Sequence, residues 1–165
     1  MNNLARDLTV YVLVRTDIPS MNPGKAMAQV HHAGVQMMAL HNQHQLVKDY
    51  IEQGTNGGAV GFNTTIILAA NESQIEATMN RLHLLTSAHF NFIGNRVIDP
   101  SYPFLVDREV WGWMHHIVPG IADITHDCND GMMLVTRSEL TCAWFLGDRN
   151  IPEFKNLFDG LDLHE

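Results

Sequence analysis

The chain has 165 residues, 45% of them hydrophobic, and a formal charge of −8 from 10 Lys and Arg against 18 Asp and Glu. That length suits a single domain, 1–165, with a real core. There is no apolar run long enough to span a membrane, no apolar core of a secretory signal in the opening MNNLARDL, and only two cysteines, Cys128 and Cys142, too few for a disulfide framework, so reduced thiols and a cytoplasmic location are expected.

Leu8 to Val14 reads LTVYVLV. It is apolar and β-branched without alternation, which predicts a strand buried on both faces. Two prolines and a glycine between Ile18 and Gly24 then predict a loop. A helix is expected from Lys25, with Val30, Ala33, Met37, Leu40, His44, Val47 and Ile51 on its apolar face and a break near Asn42. Gly54 and Gly57-Gly58 end it. Asn63 to Ala70 reads as a second buried strand. Asn71 and Gln74 form a capping box for a helix carrying Ile75, Met79, Leu82 and Leu85. Phe90 to Ile98 is a third strand, closed by Asp99-Pro100.

Residues 100–137 hold Gly112, Gly120, Pro103 and Pro119 with Trp111 and Trp113. They read as an insertion packed against the domain, with a short helix around Val110 to Ile117. Leu140 to Leu146 is a fourth strand, Gly147-Asp148 a turn, and a final helix starts near Pro152 with Ile151, Phe154, Leu157 and Phe158 as its apolar positions. Strands alternating with helices imply a layered α/β domain.

The chemistry concentrates between Arg15 and Ala33. In open α/β sheets, ligands sit beyond the carboxyl ends of strands, which here means Arg15 to Asp17. On the helix that follows, Lys25, Gln29, His32 and Gln36 fall at spacings of four, three and four, one polar stripe. A lysine in a first turn opposes the helix dipole. It calls for an anionic ligand or a carboxylate partner.

The string Arg15-Thr16-Asp17, then Met21, Gly24-Lys25, Gln29 and His32-Ala33, resembles the opening of the type 2 peptidyl-tRNA hydrolase family. The likeness covers about residues 1–99 and 140–165. It implies a three-layer α/β/α domain with a four-stranded mixed sheet, and hydrolysis of the ester that joins a peptide to the 3′-terminal ribose of tRNA. No metal or organic cofactor is implied. Lys25 would supply charge to the oxyanion, Gln29 would orient the ester or the water, and Asp99 would match the family's aspartate. Arg15, Thr16, Asp17 and His32 would contact substrate.

The family follows its aspartate with Ala-Gly and then Thr, whereas this chain has Asp99-Pro100-Ser101-Tyr102. Asp107 therefore competes with Asp99. Thr141 is the nearest match to the threonine on the last strand, one position out of register, and such a shift points a side chain to the other face. The partner implied is tRNA; a homodimer and a protein partner docked on the insertion are further expectations. The acidic charge works against phosphate binding, so a non-catalytic tRNA- or protein-binding member is the alternative. A metal enzyme using His115-His116 and His126-Asp127-Cys128 matches no standard ligand spacing.

Overall fold

A computed structural model describes residues 6–18, 20–55, 63–88, 90–107, 109, 121–127 and 131–164. Its strands are β1 (Leu8–Arg15), β2 (Thr64–Ala70), β3 (Ile93–Asp107), β4 (Ile121–Asp127) and β5 (Met132–Asp148). Its helices are α1 (Pro23–His41), α2 (Gln45–Thr55), α3 (Glu72–Ser87) and the short α4 (Pro152–Lys155), followed by a 3₁₀ turn over Asn156–Phe158. The sheet runs β2-β1-β5-β3, parallel between β1 and β2 and antiparallel on both sides of β5. This is the expected four-stranded mixed sheet.

The expected three layers follow from burial on both faces of β1. Val10, Val12 and Val14 pack with Cys142, Trp144 and Leu146 under Ala33 and Met37 of α1 and Leu46, Val47 and Tyr50 of α2. Tyr11 and Leu13, with Ala143 and Phe145, pack under Ile75, Met79 and Leu82 of α3 and under Phe154 and Phe158. A strand covered on both sides loses the polar alternation of a half-solvated one. The capping box of α3 forms as expected, Asn71 accepting from the Gln74 amide. Asn22 caps α1, with Pro23 in its first turn.

Several expectations are corrected. The long helix does break after His41, but α2 restarts in a new phase. Ile51 is therefore exposed, while Leu46 and Tyr50, not predicted, are buried; Leu40, in the last turn of α1, is exposed as well. The final helix is only one turn plus a 3₁₀ turn, after which the chain pairs Leu163 with Leu68 of β2. The largest change lies past Asp99. Instead of closing there, β3 runs on to Asp107, and β5 begins at Met132 rather than Leu140. β4 pairs with Met133 to Arg137 of β5, in the lane that β1 vacates at Arg15. Much of the 100–137 insertion is thus a three-stranded antiparallel extension of the sheet. Pro100 and Pro103 are tolerated because β3 is an edge strand. The helix expected around Val110 to Ile117 lies outside the described residues.

Candidate active site

The extension departs from the main sheet through two β-bulges, and these shape the site. Val97 pairs with Cys142, but the next residue, Ile98, pairs with Leu140. Thr141 is the extra residue on β5. Side chains alternate faces along a regular strand, so Thr141 and Cys142 would point opposite ways. The bulge instead turns both toward α1. The Thr141 hydroxyl donates to Gln29 Oε1 at 2.6 Å, and the Cys142 thiol donates to the Gln29 carbonyl at 3.4 Å. The second bulge is on β3. Asp99 pairs with Glu139 and Tyr102 with Arg137, three residues against two. Tyr102 is thereby brought to the same face as Asp99.

Under α1 these side chains form a connected chain of hydrogen bonds. Gln29 is 3% exposed and Thr141 fully buried. Gln29 Nε2 donates to Asp99 Oδ2 at 3.0 Å, and the Ser101 amide donates to Asp99 Oδ1 at 3.0 Å. A carboxylate only accepts, so the Gln29 amide group must face Asp99, and its oxygen must face Thr141. The Thr141 hydroxyl also reaches the Val97 carbonyl, at 3.3 Å. His32 is exposed, its Nδ1 at 3.4 Å from Gln29 Oε1. Asp107 is elsewhere. It is exposed at the far end of β3, eight residues on, and accepts from the Glu109 amide at 2.8 Å.

Lys25 lies one helical turn before Gln29. Its ammonium donates to the Pro103 carbonyl at 3.3 Å and sits 4.9 Å from the centroid of the Tyr102 ring. Among the described residues no carboxylate forms an ion pair with it. Arg6, Arg15, Arg96, Arg137 and Arg149, by contrast, each pair with a carboxylate. Tyr102 is 1% exposed and donates to Met21 Sδ at 3.7 Å. Burial, helped by the charges of Asp99 and Glu139, pushes its phenol up, so the ring is neutral at ordinary pH.

Arg15 anchors an adjoining ionic cluster. Its Nε and Nη2 grip Asp17 at 2.5 and 3.0 Å, and its Nη1 reaches Glu139, Glu72 and the Leu140 carbonyl. Burial works to raise the Asp17 pKa, but the Arg15 hydrogen bond and charge, with backbone amides, outweigh it and hold the group below its ordinary value. Thr16 is exposed, while its amide bonds to the Ala70 carbonyl at 2.9 Å, tying β1 to β2. The structure therefore gathers Gln29, Asp99 and Thr141 directly, with Lys25 one turn away and His32 on the rim. Tyr102 and Glu139 escaped sequence reasoning. The run Asp99-Pro100-Ser101-Tyr102-Pro103 signalled an irregular backbone, but not which face it served.

Fold and site together define a three-layer α/β protein with a polar cluster where β1 ends under the start of α1. Residues 8–83 match the family model described as peptidyl-tRNA hydrolase PTH2. The match includes Lys25, Gln29 and His32; Asp99 and Thr141 lie beyond it. No curated protein matches the chain. Among solved structures, a protein of unknown function from Agrobacterium tumefaciens is similar at 12% identity and a TM-score of 0.47, over 96% of this chain and 98% of its own. A likeness that distant carries no functional argument.

Proposed function

We propose that the protein hydrolyses the ester bond of peptidyl-tRNA in the cytoplasm, releasing peptide and free tRNA. The carrying observation is the Thr141–Gln29–Asp99 chain of hydrogen bonds, placed beside a lysine whose partners are neutral. The reaction needs a positioned water, a stabilised oxyanion and a proton for the departing ribose oxygen. Asp99 receives one hydrogen bond on each oxygen and retains lone pairs to take a proton from the attacking water and pass it to the departing ribose oxygen. Gln29 has both amide atoms engaged and is buried, so it acts by holding Asp99. Thr141 sets the orientation of Gln29. Lys25 keeps its charge uncompensated, as oxyanion stabilisation requires. Thr16, Asp17 and His32 offer exposed polar atoms to substrate, and Arg15 holds Asp17 in place. No metal or cofactor enters this scheme.

The test is incubation with an N-acetyl-aminoacyl-tRNA and measurement of released tRNA. Lys25→Ala should lower kcat by about a hundredfold or more, the loss expected for a group stabilising an oxyanion. Cleavage undiminished in that variant would remove Lys25 from the mechanism.

One observation favours a second reading. With a charge of −8 and five arginines committed to ion pairs, little free basic surface remains for phosphates among the described residues. A member of the fold that binds tRNA or a protein partner without cleaving would show binding and no turnover in the same assay.

A further inference from the structure

We infer that Tyr102 is the positioning residue that aims Lys25, a role created by the bulge on β3 and resting on the hydrolase reading given above. Lys25 projects from the first turn of α1, where the helix dipole gives a cation no support. A flexible side chain there needs an external seat to be held in one place. A carboxylate would supply one and would also neutralise the charge. The Tyr102 ring and the Pro103 carbonyl hold the ammonium without cancelling it.

The seat itself is rigid. Tyr102 is 1% exposed, and its ring lies edge-on to Phe104 with centroids 5.1 Å apart. Its hydroxyl is tied to Met21, in the loop that leads into α1. Phe104 in turn lies under the Arg137 guanidinium, 4.1 Å from the ring centroid, and Arg137 pairs with Glu139 at 2.7 Å. The ring under Lys25 is thereby fixed by β3 and β5 of the extension. With Tyr102 on the opposite face, as regular pairing would place it, Lys25 would have no such floor. This assigns a task to the lengthened β3: it builds the wall against which the cation stands.

The geometry and its use are tested separately. In the folded wild-type protein, the ε-methylene protons of Lys25 should resonate upfield of ordinary lysines, because they lie over an aromatic ring. Tyr102→Phe, which retains the ring, should keep that shift and keep kcat within about twofold, since the cation–π contact survives. Tyr102→Leu should abolish the shift and lower kcat about five- to thirtyfold, the range for losing a partly desolvated cation–π contact. KM should change little in both. An ordinary Lys25 resonance in the wild type would overturn the proposal without any variant. So would equal losses in Tyr102→Phe and Tyr102→Leu, which would assign the effect to the hydroxyl. If the wild type shows the shift but no turnover, the hydrolase reading fails, and with it the catalytic use of the seat.

Discussion

Replacing Thr141 with valine removes one hydroxyl and leaves the shape of the side chain almost unchanged. The hydroxyl is fully buried and donates to Gln29 Oε1 at 2.6 Å, with the Val97 carbonyl at 3.3 Å. After the change, among the described residues Gln29 Oε1 retains only His32, at 3.4 Å, and the glutamine itself is 3% exposed. A buried acceptor left without a good donor costs about 1–3 kcal/mol. For a chain of this size each kcal/mol lowers Tm by about 2–4 °C, so a fall of about 2–12 °C is expected. The same loss frees Gln29 to turn away from Asp99. In the proposed mechanism, displacing Asp99 by an ångström would cost about ten- to a hundredfold in kcat. Thermal melts and single-turnover cleavage read the two effects. Pairing Thr141→Val with Gln29→Leu in a double-mutant cycle should return a coupling of about 1–2 kcal/mol. Additive effects, or a Thr141→Val protein that melts with the wild type, would refute the buried chain as drawn.

Three further outcomes follow from the same structure. A Cβ on Gly147 would come within 2.7 Å of the Phe154 ring, which is fully buried and cannot retreat, so Gly147→Ala should destabilise by about 1–3 kcal/mol in urea unfolding; an unchanged midpoint would contradict the packing under α4. The Asp17 pKa is depressed in the folded state, so its contribution is present above its ordinary value of 3.8 and is lost as pH falls through the lower folded value. The stability gap between wild type and Asp17→Asn should therefore narrow below pH 3.8, and a gap constant with pH would show that Arg15 gains nothing from that charge. Burial pushes the Cys142 thiol up to about 12, so it should resist iodoacetamide until the protein unfolds; peptide mapping that finds it alkylated in native protein would show that the sheet opens there.

Much of this protein is legible in local pattern. Apolar runs without alternation mark β1, which is covered on both faces, and β2, an edge strand whose burial is complete only at Leu68 and Ala70. Asn71 and Gln74 mark the start of α3, because a capping box is made within four residues. Spacings of four and three place Lys25, Gln29 and His32 on one side of α1, since helical periodicity is a property of the chain alone. The phase of α2 was not legible, because a break after His41 resets the periodicity by an amount only packing decides. Nor was the length of β3, since Pro100 and Pro103 read as terminators unless the strand is known to lie on an edge. The out-of-register Thr141 is the clearest case. Counting residues sends it to the wrong face, and a bulge that exists only when β3 and β5 are paired turns it back onto Gln29. Asp99 and Asp107 likewise share one strand and one residue type; tertiary structure separates them, because α1 crosses the sheet above the first and not above the second.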